Sequence, residues 1–418
     1  MEDTSVQKKL RWRSLIAAFG GWMLDAVDWM SLAILMPLIK VHFNLSLSQA
    51  GLLFTATIAG AAVGGFVGGV LADYFGRVRV LMFTIAFYAI FTGLCGLAQS
   101  YEQLLAIRTV VGLGLGAEWG IGAALVSEYW PAERRAKATS MVHTGWPIGY
   151  GFAALLSILI VPYFGWRALF FVGALPALFA LWVRWALPEP TEWLNVRDAR
   201  RRAKANAATK PQFSMAILFT RAYLRVTVFA CLFMGFALMA YWGAVAWIPT
   251  FLAQERGLSV VRSGGYLVLL NAGAVAGILF FGWLADIKGR RTACIAGMGS
   301  AFFATIIYVF IKDPTVLLFF GPVFGFTSTG CFGIFAAYLS ELFPAEARAS
   351  GTSLAYSGVA RVMALLAPYL LGLLAEKMGL TAGLALNAGY YLLAVVAVVC
   401  LPETAKFIKT RTAAITGK

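Results

Sequence analysis

Twelve apolar runs, each long enough to cross a bilayer, divide the chain from end to end. They lie near 15–39, 50–72, 79–98, 104–127, 138–161, 166–187, 223–252, 263–285, 292–311, 314–340, 350–373 and 379–401. A hydrocarbon core about 30 Å thick takes roughly 20 apolar residues per helical crossing, and its backbone polar groups must be bonded within the crossing segment. The expected fold class is therefore an all-α membrane protein of twelve transmembrane helices. With 61% hydrophobic and 13% charged residues among 418, there is more apolar surface than water-soluble cores could enclose. The first run is too long for a signal-peptide core and no small-residue cleavage site follows it, so a retained helix is expected, with nothing processed off.

The net charge of +15 would suggest nucleic acid in a soluble protein, so its placement decides its meaning. Sorted by alternate loops, 25 of the 34 Lys and Arg fall on the face carrying both termini, 6 on the other, and 3 (Arg108, Arg184, Arg361) within or at the end of helices. That asymmetry predicts both termini in the cytoplasm. The cluster Arg197, Arg200, Arg201, Arg202, Lys204 and Lys210 then reads as a topology determinant touching lipid headgroups; RNA or specific anionic-lipid binding is the alternative. No nucleic-acid partner is expected, and membrane lipids are. The five cysteines sit inside predicted spans at unrelated spacings, neither a metal set nor a disulfide framework. Nor is there a phosphate loop, nucleophile elbow or metal cluster: the glycines at 112–120 lie in an apolar run rather than after a strand. Neither enzymatic activity nor a cofactor is expected.

The chain repeats itself. Gly69 to Arg77 (GVLADYFGR) returns as Gly282 to Arg290 (GWLADIKGR), an offset of 286 − 73 = 213. Ser127 to Arg135 returns as Ser340 to Arg348, again 340 − 127 = 213, and Leu187-Pro188-Glu189 returns as Leu401-Pro402-Glu403 at 214, one inserted residue later. Two motif pairs in one register imply a duplicated six-helix unit. The expected organisation is an N-terminal half over 1–187, a cytoplasmic linker over 188–222 and a C-terminal half over 223–418. Parallel halves around a central site suit alternating access.

The loop at Gly69 to Arg77 and its echo resemble the signature of the major facilitator superfamily, and the resemblance runs over essentially the whole chain. The stretch Arg108 to Gly120 is similar to that superfamily's fourth-helix motif, with a Glu118-Trp119 ending like that of its metabolite:proton and sialate:proton symporter branches. Asp25-Ala26-Val27-Asp28 resembles the paired-aspartate motif of lactate, pyruvate and aromatic-acid permeases, while the aromatic and apolar stretch Phe236 to Trp247 departs from the seventh-helix polar motif of the fungal lactate permeases. The resemblance implies a twelve-helix secondary transporter of the bacterial inner membrane, expected to work as a monomer, and makes Arg108 the partner of Asp28.

A charge in mid-bilayer costs several kcal/mol unless paired or wet, which makes each one a functional candidate. Asp25 and Asp28, three residues apart, share a helix face. Two carboxylates so close in a low dielectric cannot both ionise cheaply, which suits proton coupling; a structural pair satisfied by Arg108 is the alternative. Glu118 lies about 15 Å along its helix from Arg108 and reads as a second proton site, as a partner for a cation of the other half, or as a carboxylate bonded to glycine-rich backbone. Arg361 has the uncharged Ile148 as its 213-offset counterpart. Its planar fork suits a substrate carboxylate, or alternatively a salt bridge to Glu118 or Asp28. His143 reads as a gate or helix contact rather than a proton relay. Tyr241, Asn271 and Trp119 are candidate substrate contacts, with Trp242 and Trp247 as further aromatic walls. Asp73, Arg77 and Glu128, with their echoes Asp286, Arg290 and Glu341, sit at helix ends beside basic loops as a candidate gating latch.

The expected function is proton-coupled symport of a small organic anion, by alternating access, with substrate and protons as the small-molecule partners. Transport of a neutral or cationic solute such as a sugar or drug is the rival; a sensor that kept a transporter fold would be a third class.

Overall fold

A computed structural model describes residues 5–130, 138, 141–190, 193–194, 215–344 and 347–404. The basic cluster of the expected linker lies outside them, as do the side chains of Asp73, Trp119, Glu128 and Arg184. Among the described residues the secondary structure is helical throughout.

The helices are α1 (Ser5–His42), α2 (Leu47–Phe75), α3 (Arg77–Cys95) and α4 (Tyr101–Tyr129), then α5 and α6 within one apolar run, Met141–Val183. Gly165, at φ 76° and ψ 174°, breaks that run, so eleven long apolar helical stretches correspond to twelve spans. Then follow α7 (Leu224–Gln254), α8 (Val260–Lys288), α9 (Arg290–Phe310), α10 (Pro314–Leu342), α11 (Ser350–Met378) and α12 (Leu380–Val399). Within α11, residues Leu354–Ala360 form a π-helical turn, and Arg361 follows it directly. The protein is a multi-pass integral membrane protein.

The fold clusters into two compact units. The first comprises residues 1–31 and 56–213, the second residues 32–55 and 214–418. Each unit builds its tightest helix contact in the same way. In the first, a Cβ on Gly60 would lie 2.1 Å from the Thr109 carbonyl and one on Gly112 2.2 Å from the Thr57 carbonyl, so α2 and α4 touch backbone to backbone. In the second, Gly273 meets the Pro322 carbonyl at 2.0 Å and Gly325 the Leu270 carbonyl at 1.9 Å, joining α8 to α10. These are repeat mates, since 273 − 60 and 325 − 112 are both 213. With lipid on the other side there is no hydrophobic drive to pair helices, so small residues that let backbones approach supply the packing.

The Leu-Pro-Glu echo has a structural task too. Glu189 accepts from the backbone N–H groups of Val78 (3.1 Å) and Arg79 (3.0 Å), at the start of α3. Glu403 accepts from Arg290 (2.7 Å) and Thr292 (3.3 Å), at the start of α9. Each caps orphan donors and the positive end of a helix dipole. The glycine before each helix, Gly76 at φ 115° and Gly289 at φ 106°, holds a backbone open to few L-residues, and a Cβ there would run into the capping carboxylate.

Candidate functional site

In the first unit, α1 carries Gly21, Trp22, Asp25 and Asp28 on neighbouring turns. Asp28 is 2% exposed and Arg108, from α4, is fully buried. The Arg108 Nη1 donates to both Asp28 oxygens, at 3.2 and 3.1 Å, and the Thr92 hydroxyl of α3 donates to Oδ1 at 2.5 Å. Three helices thus meet at one carboxylate. Removing either ion of such a pair strands the other in a low dielectric.

Asp25 has a different setting. The Glu118 carboxyl of α4 and the Tyr88 hydroxyl of α3 are its buried neighbours, and both Glu118 oxygens and the Tyr88 hydroxyl are buried without a hydrogen-bond partner. Asp25 and Glu118 are 1% and 2% exposed. An ionised carboxylate buried without a hydrogen bond bears its full desolvation cost, and a second carboxyl beside it adds to that cost. The close approach depends on Gly21, where an added Cβ would lie 1.9 Å from Glu118 Oε1. Asp25 and Asp28 therefore share a helix stripe but serve two clusters, since the guanidinium and the Thr92 hydroxyl both go to Asp28 and Glu118 goes to Asp25.

His143 is buried beside this stripe, edge-on to Trp22 with ring centroids 6.4 Å apart, and Trp22 also lies 4.7 Å from Trp146. Arg77, at the start of α3, is half-buried. The side chains of Asp73, Trp119 and Glu128 fall outside what is described.

In the second unit, Arg361 is half-buried on α11. The Asn271 amide donates to the Leu267 carbonyl of its own helix at 2.8 Å, which leaves its carbonyl oxygen for another partner. Tyr241 is buried against Phe332, at 4.7 Å, and Trp242, at 5.8 Å, while the Trp247 indole donates to the Pro368 carbonyl at 2.9 Å. At one end of this unit Arg290 forms an ion pair with Asp286 and another with Glu341 at 3.3 Å. Thr404 donates to the second Glu341 oxygen at 2.5 Å.

Sequence reasoning passed over Gly21, Tyr88, Thr92 and Asn387. The Asn387 amide donates to the Ala240 carbonyl at 2.9 Å and pins α12 to α7. A search for charges does not register neutral donors, and nothing in the spacing marks Gly21 among the chain's 43 glycines.

The family model described as Major Facilitator Superfamily matches residues 18–368 and 272–416. A cis,cis-muconate transport protein of Acinetobacter baylyi is 32% identical over 392 residues, covering 93% of this chain and 94% of that protein. A niacin transporter of the same organism is 30% identical over 370 residues, 83% of each. Among solved structures, a D-xylose-proton symporter superposes with a TM-score of 0.74 at 18% identity, over 94% of this chain and 99% of that one.

Proposed function

From the chain's membership of the Major Facilitator Superfamily, whose members matched here are transporters rather than enzymes, we propose that it carries a small organic anion together with protons by alternating access. The observation that carries the proton side of this reading is the neighbouring pair of buried carboxyls Asp25 and Glu118, with both Glu118 oxygens lacking a hydrogen-bond partner, so that a charge on Glu118 carries its full desolvation cost. A carrier that binds a proton in one conformation and releases it in another needs such a group beside a switchable charge. The Asp28–Arg108 pair three residues along α1 is that charge.

In this reading the proton resides on Asp25/Glu118, beside the buried Tyr88 hydroxyl. The Arg108–Asp28 lock stiffens the α1, α3 and α4 junction in one state. Arg361 receives the carboxylate of the anion, with Asn271, Tyr241, Trp119 and His143 as candidate walls. The anion side rests on the relatives, whose named cargoes are muconate and niacin, both acids, and on the lone arginine in α11. The acidic and basic groups at the helix ends, Asp286, Arg290 and Glu341 with Asp73, Arg77 and Glu128, act as the latch between conformations. The halves are 1–187 and 223–418, joined by the 188–222 linker, in the inner membrane of a bacterium with both termini cytoplasmic, and the working unit is a monomer.

Uptake into proteoliposomes tests the anion assignment. Labelled carboxylates are expected to accumulate when the interior is made alkaline, and Arg361→Ala is expected to lose most of that uptake. Accumulation of a neutral sugar or a cation instead, with Arg361→Ala unaffected, would favour the rival reading.

A further inference from the structure

The two halves differ by one residue, and the structure locates it. The echo holds at 213 through Thr139-Ser140-Met141-Val142-His143-Thr144-Gly145, which returns as Thr352-Ser353-Leu354-Ala355-Tyr356-Ser357-Gly358. The paired left-handed glycines that end the fifth and eleventh spans, Gly165 (φ 76°) and Gly379 (φ 84°), are 214 apart. The surplus residue therefore enters between 359 and 378, and the π turn at Leu354–Ala360 overlaps that interval at 359–360. A single extra residue in a helix is accommodated as such a turn, and π turns concentrate at functional sites.

The turn has a consequence for direction. In an α-helix, residues five apart point about 140° away from each other. Where backbone bonds run five residues back, residues five apart lie nearly one above the other. Tyr356 lies inside the turn and Arg361 closes it five residues on, with the Arg361 N–H donating to the Gly358 carbonyl, and the phenol and the guanidinium interact electrostatically across the turn. Both are half-buried, so neither is sealed in the core. Tyr356 is also the repeat mate of His143, since 356 − 143 = 213.

We propose that the π turn of α11 builds a two-donor carboxylate site, in which the Arg361 guanidinium supplies the charge and the Tyr356 hydroxyl a second hydrogen bond that selects an anionic oxygen. The proposal rests on the reading of Arg361 as the anion anchor and adds to it a partner and a geometric reason. A guanidinium alone attracts any anion. A guanidinium with a phenol O–H beside it favours a planar group presenting two oxygens at fixed separation.

The test uses the full chain purified in detergent, with equilibrium binding of cis,cis-muconate and nicotinate, each compared with its uncharged amide. The unsubstituted protein is expected to prefer at least one of the acids, and Arg361→Ala to abolish the preference. Tyr356→Phe, isosteric but without the hydroxyl, is expected to lower it about tenfold at a melting temperature close to that of the unsubstituted protein. Tyr356→Gln, which keeps a donor, should fall between the two, and it carries the test if Phe at 356 compromises folding. Deletion of Val359 turns the five-residue spacing into the four-residue spacing of a plain α-helix, which keeps the pair on one face, so the preference should stay within about twofold. If Arg361→Ala removes the preference while Tyr356→Phe and Tyr356→Gln leave it intact, the two-donor site is wrong and the anchor stands. If Arg361→Ala leaves the preference intact, or the unsubstituted protein prefers neither acid, the anchor fails and the two-donor site with it.

Discussion

Arg108 donates from one nitrogen to both carboxylate oxygens of Asp28, at 3.2 and 3.1 Å, in a place where neither residue is more than 2% exposed. An ion pair in such a setting repays its desolvation only while both members are present. Asp28→Asn and Arg108→Ala should each lower stability by about 3–5 kcal/mol, and the double change Asp28→Asn with Arg108→Met should recover most of the loss without restoring transport. Thermal unfolding of the purified variants checks this. Equal melting temperatures for all of them would remove the lock from the account.

Glu118→Gln keeps the shape of the Asp25–Glu118 contact and removes a titratable proton. Exchange of labelled substrate across the membrane without a gradient should continue, whereas accumulation driven by a pH gradient should fall at least tenfold. Parallel counterflow and gradient-driven uptake assays separate the two. Loss of both to the same extent would mean that Glu118 serves folding or substrate binding rather than the proton.

Gly21→Ala places a methyl group 1.9 Å from Glu118 Oε1, inside any permitted contact. The carboxylate must move off Asp25, so this one-carbon change should reproduce the uncoupling expected of Glu118→Gln. Uptake measured with and without a pH gradient decides it, and normal gradient-driven accumulation would contradict the geometry of the pair.

The Glu189 and Glu403 caps should act alike because they are repeat mates. Glu189→Ala and Glu403→Ala are each expected to cost about 1 kcal/mol, as for other lost N-terminal caps. Gly289→Ala should cost more, since it adds strain at φ 106° to a collision with Glu403. Thermal unfolding ranks the three variants, and a neutral Gly289→Ala would show that the cap is dispensable.

Much of this architecture is legible in the residues. The apolar runs give the spans because lipid leaves the backbone no alternative to helices, and the 213-residue echo gives the duplication. The break between the fifth and sixth spans is harder to see, since Gly165 sits among apolar residues and only its positive φ marks it. At the site, the charged residues stand out by their cost in a bilayer, and Asp28 and Arg108 form an ion pair. Spacing along α1 says that Asp25 and Asp28 share a stripe, but it cannot say that neighbouring helices offer each a different partner. That depends on where Thr92, Tyr88 and Glu118 arrive from α3 and α4, which is a property of helix packing. Offset counting alone makes Ile148 the counterpart of Arg361. With the surplus residue taken up in the π turn, the repeat counterpart becomes Pro147, since 361 − 147 = 214, and that counterpart is again uncharged.

The most direct measurement of proton–anion coupling is fluorescence of a pH-sensitive dye sealed inside proteoliposomes, recorded as a carboxylate is added outside. The interior should acidify as the acid enters and stay unchanged when Asp25→Asn or Glu118→Gln replaces the native residue. Carboxylate entry with no acidification by the unsubstituted protein, or undiminished acidification by both variants, would contradict the claim that the Asp25–Glu118 pair carries the coupled proton.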